Sequence, residues 1–169
     1  MKADLYWVPG PWPGRLAISK RPRGGEWLAD EVKAWKAVGV STVVSLLEED
    51  ESAELGLARE AETAGAAGIE FISLPVPDRG VPGSAEGMAR VVARLHAALQ
   101  RGDTVAVHCR QGIGRSGMLA AGTLIAAGLE ARQAMEVVSR ARGVKVPETD
   151  EQREWLTEAL AGRVAVGTN

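Results

Sequence analysis

The segment from Thr104 to Gly128 constrains the fold of this chain more than any other part of its sequence. It begins with a short apolar stretch, T-V-A-V, and continues into a loop sequence, H-C-R-Q-G-I-G-R-S, from His108 to Ser116. A run that is apolar on every side follows, S-G-M-L-A-A-G-T-L-I-A-A-G. Because a helix that is apolar all round is a buried one, the pattern predicts a strand, a glycine-containing loop and a central helix.

Strand-like and helix-like segments alternate along the rest of the chain. Buried strands are predicted for Val40 to Leu47 and for Ile69 to Val76. Three helices are predicted in this part of the chain. The first runs from Trp27 to a stop at Gly39, the second is an alanine-rich segment that stops near Gly68, and the third follows Ser84 and ends before Gly102. The proline-rich and tryptophan-rich N-terminal segment, W-V-P-G-P-W-P-G-R-L-A-I-S, predicts short edge strands and turns.

This alternation, with no linker, low-complexity tract or internal repeat, predicts one α/β domain over residues 1-169. We expect a mainly parallel central sheet flanked by helices, with a phosphate-binding loop between a strand and a buried helix. The five tryptophans are better explained as packing residues than as a binding face.

Composition excludes several classes of partner. The chain has 169 residues, 20 Lys and Arg against 22 Asp and Glu, and a net charge of -2, so no global field attracts nucleic acid or a membrane surface. The single cysteine excludes an internal disulfide and fits a reducing compartment. An acid and a proline stand in the first ten residues, where a signal peptide would have an apolar core. We therefore expect a cytoplasmic monomer with no nucleic-acid or membrane partner.

The loop from His108 to Ser116 is a candidate anion site. A loop that leaves a parallel strand and begins a helix presents backbone N–H groups and the positive end of the helix dipole to one point. Gly112 and Gly114 allow positive φ and a close approach to a ligand, and Arg115 supplies a planar charged fork for two phosphate oxygens. The predicted substrate-binding residues are His108, Arg110, Gln111, Gly112, Ile113 and Gly114.

Cys109 lies at the base of the same loop. A helix N-terminus and a neighbouring cation favour the thiolate, which is the nucleophilic form of cysteine. His108 has two interpretations: a ring turned beneath the loop that hydrogen-bonds backbone carbonyls and holds the cysteine, or ordinary packing at the end of a strand.

The residues H-C-R-Q-G-I-G-R-S resemble the H-C-x-x-G-x-x-R-[S/T] signature of the cysteine-dependent protein phosphatases. The resemblance is closest to the compact dual-specificity branch, with its small bacterial members and kinase-associated phosphatases, and it covers most of the chain. It implies a phosphomonoester hydrolase that uses no metal and no cofactor. Phosphoryl transfer would proceed through a phosphocysteine on Cys109, with Arg115 stabilising the charge.

The same resemblance implies a general acid on a separate upstream loop, and V-P-D-R-G-V-P offers Asp78. A carboxyl group is needed there because an alkoxide or phenoxide leaves badly without a proton. The alternative for Asp78 is a solvated turn residue. By family analogy Ser116 would give a hydrogen bond to the departing thiolate, and its alternative is an ordinary serine in the first turn of a helix.

The family resemblance implies a phosphorylated protein or peptide as substrate, carrying phosphotyrosine and also phosphoserine or phosphothreonine. With one Tyr and one Phe, the chain lacks an evident aromatic grip on phosphotyrosine, which implies a shallow pocket. The alternatives are a phosphoinositide or other small-molecule phosphatase, a rhodanese-like or arsenate-reducing thiol enzyme, and a non-catalytic phosphate-binding module.

Several polar residues outside the loop have weaker signals. Gln152 either completes a T-x-x-Q capping box with Thr149 or positions the hydrolytic water, and the cap is favoured. The loop with Lys20, Arg21 and Arg23 either selects substrates or is a solvated turn. The E-E-D-E run from Glu48 to Glu51 is expected to be a solvated helix start, and we assign His96 no chemistry.

Overall fold

The computed structural model describes residues 2–160, and their strands form one five-stranded sheet. The strands are β1 (Leu5–Val8), β2 (Arg15–Ser19), β3 (Val40–Ser45), β4 (Glu70–Ser73) and β5 (Thr104–His108). They lie in the order β1-β2-β5-β3-β4, and every pair is parallel except β1 with β2. The predicted mainly parallel sheet is therefore confirmed, with β5 at its centre.

Seven α-helices connect or follow these strands within the described residues. They are α1 (Leu28–Ala37), α2 (Glu49–Glu54), α3 (Glu60–Ala66), α4 (Ala85–Gln100), α5 (Arg115–Ala126), α6 (Ala131–Arg142) and α7 (Asp150–Trp155). Every residue of α5 is buried, as its apolar sequence predicts. Helix α4 begins as predicted, because the Ser84 hydroxyl accepts a hydrogen bond from the Gly87 N–H at 3.0 Å.

The sheet buries an apolar core on each face because successive residues of a strand point to opposite sides. In β5, Val105 and Val107 belong to the larger core, which also contains the buried side chains of α4 and α5. Ala106 belongs to the smaller core with Trp35 of α1 and Leu57. The two sides of β5 thus face two different sets of helices.

Three expectations from the sequence need correction. Strand β2 is an interior strand between β1 and β5, although its glycine-rich and proline-rich context predicted an edge. The alanine-rich segment forms two short helices, α2 and α3, because the chain turns at Gly56, whose φ is +73°. Helix α6 was not predicted; its buried positions, Ala131, Ala134 and Val138, make only a narrow apolar stripe among charged residues.

No helix between residues 2 and 160 has the length and apolar character to cross a membrane. The predicted domain of 1-169 includes residue 1 and residues 161–169, which lie outside the described part, and that boundary stays a prediction.

Candidate active site

The loop after β5 contains Cys109 and contacts its sulfur through the backbone. Cys109 follows the last residue of the central strand and is itself buried. The Gly112 N–H donates a hydrogen bond to Cys109 Sγ at 3.3 Å. A backbone N–H donated to a sulfur stabilises a thiolate, which is the nucleophilic form of a cysteine.

Arg115, the first residue of α5, has its guanidinium fixed by oxygens from three other segments, the first of which is the Leu46 carbonyl, 3.4 Å from Nη1. Nη1 donates to Glu51 Oε1 at 2.6 Å and to the Val76 carbonyl at 2.9 Å, and Nη2 donates to Glu51 Oε2 at 3.1 Å. Burial alone would lower the pKa of Arg115, but the hydrogen bonds to Glu51 and the nearby charges of Cys109 and Asp78 raise it above its ordinary value. The side chain is therefore a permanent cation beside the sulfur.

Glu51 corrects our expectation for the acidic run, which predicted only solvated carboxylates. The side chain of Glu51 is 89% buried, since 11% of it is exposed, and it accepts both hydrogen bonds from Arg115. Burial raises the pKa of Glu51, but the bonds from Arg115 and from the Glu48 N–H outweigh it and hold the pKa below its ordinary value. Sequence analysis missed this residue because its partner lies 64 positions away.

Asp78 lies at the mouth of a cavity of about 110 Å³ that is also lined by Cys109 and Arg115. Its Oδ1 accepts a hydrogen bond from Arg115 Nη2 at 3.1 Å, and its side chain is 57% exposed. A turn closed by the Gly80 N–H and the Pro77 carbonyl, 2.8 Å apart, presents the carboxylate. The structure thus brings the predicted nucleophile, cation and acid to one cavity.

Two contacts attach this acid loop to the start of α7. Arg79, which has a φ of +60°, forms an ion pair with Glu148 at 2.9 Å. Gln152 donates from Nε2 to the Gly80 carbonyl at 2.9 Å, while its Oε1 accepts from the Thr149 N–H at 3.2 Å. The capping interpretation of Gln152 is confirmed, and the same amide also anchors the acid loop.

The two glycines of the Cys109 loop are required for different structural reasons. Gly112 has a φ of +73°, and a Cβ there would lie 3.2 Å from Ile18 Cγ2, so the predicted positive φ is confirmed. Gly114 has a φ of -74°, which any residue adopts, so our prediction of positive φ is wrong there. A Cβ at Gly114 would instead lie 3.0 Å from side-chain atoms of Gln152 and Glu148.

Arg142, at the end of α6, fixes the outer side of the loop. Its Nε donates to the Gly112 carbonyl at 2.9 Å and its Nη2 to the Gln111 carbonyl at 3.2 Å. The guanidinium also lies over the Tyr6 ring, 4.1 Å from its centroid. These two hydrogen bonds restrain the loop through its carbonyls, and the Gly112 N–H on the same residue is the one that donates to Cys109 Sγ. Sequence analysis missed Arg142, since nothing local separates it from the other arginines of α6.

His108 and Ser116 are fully buried beside the loop and do not line the cavity. His108 was predicted among the substrate-binding residues, but its ring lies beneath the loop, where Nδ1 is 3.3 Å from the Cys109 carbonyl. The supporting interpretation of His108 therefore agrees with the geometry. Ser116 Oγ has no hydrogen-bond partner among residues 2–160.

The remaining candidates occupy varied positions. Gln111 lines the cavity, Ile113 packs against the larger core, and the side chain of Arg110 lies 3.7 Å from Glu51. Lys20 and Arg23 pair with Asp4 and Glu31, outside the cavity lining. Among the described residues no group of three His, Cys, Asp or Glu side chains could hold a metal; the prediction of a metal-free, cofactor-free enzyme stays a prediction.

Comparison with known proteins identifies the family of this arrangement. Residues 5–163 match the family model described as PTP-SAK, Swiss Army Knife protein, DSP-PTPase phosphatase domain. The chain belongs to this DSP-PTPase family. Tk-PTP, in a structure described as its active form, is 30% identical with a TM-score of 0.76, and the match covers 95% of this chain and 98% of that one.

Two further relatives are more distant or shorter in their match. A kinase associated phosphatase with serine in place of its catalytic-site cysteine has a TM-score of 0.85 over 94% of each chain at 18% identity, which shows a shared fold. Laforin from Mus musculus is 43% identical over 49 residues, 29% of this chain and 15% of laforin. The predicted family, the α/β fold and the cysteine-dependent phosphatase function of this DSP-PTPase domain are confirmed.

Proposed function

We propose that this DSP-PTPase domain removes phosphate from phosphorylated proteins or peptides through a covalent intermediate on Cys109. The observation that carries the proposal is the convergence of Cys109, Arg115 and Asp78 on one small cavity. A nucleophile, a permanent cation and a carboxyl group are the three functions that transfer of a phosphoryl group to a thiol requires.

In the first step Cys109 Sγ attacks phosphorus, so that a sulfur–phosphorus bond forms while the bond to the leaving oxygen breaks. Asp78 gives its proton to that oxygen, which leaves as a neutral alcohol or phenol. Arg115 and the loop N–H groups from Arg110 to Arg115 stabilise the charge on the three remaining oxygens.

In the second step a water molecule attacks the phosphocysteine and gives a proton to the Asp78 carboxylate. The sulfur–phosphorus bond breaks, inorganic phosphate forms and Cys109 leaves as a thiolate. Among residues 2–160 the buried Ser116 hydroxyl has no hydrogen-bond partner, which supports its donation of a hydrogen bond to that thiolate. Atoms and protons balance over the two steps, and Asp78 returns to its protonated state.

The residues that line the cavity bear on which substrates it accepts. Within the described part of the chain its lining includes no aromatic side chain, and Gln111, Arg79 and Glu148 lie around the three reacting groups. An opening without an aromatic wall does not select for the length of phosphotyrosine, so we propose that phosphoserine and phosphothreonine peptides are accepted as well.

The experiment that tests the function is phosphate release from an aryl phosphate in the presence of a strong chelator, by the wild type and by Cys109→Ser. We expect turnover by the wild type and none by the variant. Retained vanadate binding with no turnover by either protein would favour a phosphate-binding module. Turnover by both proteins would exclude Cys109 as the nucleophile.

A substrate panel then separates the protein phosphatase from the lipid alternative. Phosphotyrosine, phosphoserine and phosphothreonine peptides are compared with short-chain phosphoinositides at equal concentration, and we expect the highest kcat/KM on a peptide. A higher value on the lipid would replace a protein substrate with a phosphoinositide. We further propose a monomer, which light scattering tests, and cytoplasmic location stays a prediction.

A further inference from the structure

A buried carboxylate lies beneath the Cys109 loop and has no part in the phosphoryl transfer described above. Glu60 is the first residue of α3 and His108 the last residue of β5, and both are fully or almost fully buried. Glu60 Oε2 lies 2.6 Å from His108 Nε2. His108 points toward the smaller core, where its ring stacks on Trp35 with centroids 6.0 Å apart. The pair therefore lies on the face of the sheet opposite the core that contains Cys109.

The contacts of His108 determine where its protons are. The Cys109 carbonyl can only accept, so the Nδ1 atom that lies 3.3 Å from it carries a proton. One further proton lies between Nε2 and Glu60 Oε2, since two bare acceptors would not approach to 2.6 Å. The two side chains thus share two protons, either as imidazolium with carboxylate or as imidazole with carboxylic acid. In both forms the Nδ1–H is donated to Cys109.

The groups around the pair make His108 the partner on which the buried Glu60 carboxylate depends. Within residues 2–160 His108 is the group that hydrogen-bonds the Glu60 carboxylate, and Glu60 Oε1 is buried without a partner. Trp35 donates its Nε1–H to Ser19 Oγ at 3.1 Å and offers only its ring face to His108. Glu49 is the other titratable residue on the cavity wall that includes Glu60. A buried carboxylate in this setting is costly without the proton that it shares with His108 Nε2.

We propose that Glu60 is a positioning residue for the nucleophile: as the buried partner of His108 it keeps Nδ1–H donated to the Cys109 carbonyl and retains a proton beneath the loop that favours the thiolate. The inference rests on the proposed function in taking Cys109 as the nucleophile. A hydrogen bond to the carbonyl of the residue that carries the sulfur stabilises negative charge on that sulfur, and in the imidazolium form of the pair the positive ring is the member nearer to Cys109.

The test is the pH dependence of Cys109 alkylation by iodoacetamide, which is specific because the chain has one cysteine. Glu60→Gln keeps the length of the side chain and a hydrogen bond to Nε2, but it removes one proton from the pair. We expect the pH midpoint of alkylation to rise by about one pH unit. The matched control is Glu62→Gln on the same helix, which removes only an exposed ion pair with Arg59 at 3.0 Å and leaves the midpoint unchanged.

A second variant separates positioning from packing. If Glu60 acts through His108, Glu60→Gln causes no further shift of the midpoint in a His108→Asn background. A lower Tm for Glu60→Gln with an unchanged midpoint would overturn the proposal and leave Glu60 a structural residue. The alkylation readout needs no turnover. A wild type that hydrolyses no phosphate would therefore contradict the proposed function while a shifted midpoint still supported the role of Glu60.

A measurement on the wild type tests the proposal even if the Glu60→Gln variant does not fold. The chain has two histidines, so nitrogen NMR can assign the ring of His108 and report which of its nitrogens is protonated. We expect Nδ1 to carry a proton across the range in which the enzyme is active. A ring protonated only at Nε2 would overturn the proposal.

Discussion

Glu51 holds the guanidinium of Arg115 through two hydrogen bonds, of 2.6 and 3.1 Å, from a helix 64 residues earlier in the chain. The carboxylate occupies the end of the guanidinium formed by Nη1 and Nη2. The other N–H of Nη2 donates to Asp78 Oδ1 at 3.1 Å, while no group among residues 2–160 hydrogen-bonds Nε. A phosphate that binds the edge of Nε and Nη2 in the cavity would therefore replace the Asp78 carboxylate at Nη2. Two oxygens of a phosphate fit such an edge, and Glu51 fixes its direction.

We expect Glu51→Gln to lower the stability of the fold in a pH-dependent way. Because the pKa of Glu51 is lower in the folded chain than in the unfolded one, its stabilisation is present above its ordinary pKa and is lost as pH falls through the folded value. Loss of a charge-assisted bond costs about 2 kcal/mol. This cost lowers Tm by about 4 to 8 °C for a chain of this size.

Calorimetry of both proteins at pH 7 and at pH 3.5 checks this expectation. The difference in Tm should be large at pH 7 and should shrink at pH 3.5, below the ordinary pKa of Glu51, because the unfolded chain there binds a proton that the folded chain holds less readily. Glu49→Gln in the same helix is the control for a general loss of negative charge. A difference that stays constant with pH would mean that Glu51 contributes by packing.

Substitution of Asp78 should affect substrates according to their leaving group. Asp78→Asn removes the proton donor, and general acid catalysis contributes about 10²–10⁴-fold to the rate. An alkyl phosphate, whose leaving alkoxide is strongly basic, should lose most of that factor. An aryl phosphate with an acidic phenol should lose little. Equal losses in kcat/KM on the two substrates would show that Asp78 is not the acid.

Arg142→Lys should weaken phosphate binding without unfolding the chain. A lysine supplies charge but not the two directed N–H groups that bind the carbonyls of Gln111 and Gly112. Loss of one charge-assisted hydrogen bond, about 2 kcal/mol, that is only partly replaced by the lysine should weaken vanadate inhibition about tenfold, which corresponds to about 1.4 kcal/mol. Inhibition constants for vanadate measure the effect, and Arg140→Lys in the same helix is expected to match the wild type. Equal inhibition of all three proteins would contradict the role we give to Arg142.

A pair of glycine substitutions separates backbone strain from local crowding in the loop. Gly112 and Gly128 both have positive φ, +73° and +109°, but only Gly112 has a neighbour, Ile18, within 4 Å of an added Cβ. Alanine at either position should cost about 1 to 2 kcal/mol of stability. Only Gly112→Ala should also abolish most of the aryl phosphatase activity, because it displaces the N–H that faces Cys109 Sγ. Full activity of Gly112→Ala would show that this N–H is dispensable.

The sequence predicts those parts of the site that depend on neighbours along the chain. The strand, loop and buried helix around Cys109 follow from local apolar patterns, and the Thr149 and Gln152 cap follows from a spacing of three residues. Glu51 could not be found in this way. It stands among four acidic residues, and its burial depends on where α2 packs relative to Arg115. The same holds for Arg142 and Glu60, whose partners come from distant segments.

Cys109 and Asp78 lie on segments that we expect to differ in flexibility. Cys109 follows a strand that has a neighbour on each side, whereas Asp78 lies on an exposed turn anchored to α7 by the contacts of Arg79 and Gln152. Amide hydrogens of the central strand should accordingly exchange with solvent far more slowly than those of residues 79–83. Because of this difference, the sequence of the acid loop can change with little effect on the position of the nucleophile. Lengthening or exchanging residues 79–83 would alter which phosphorylated molecules gain access, while the thiol and its cradle of amides stay in register.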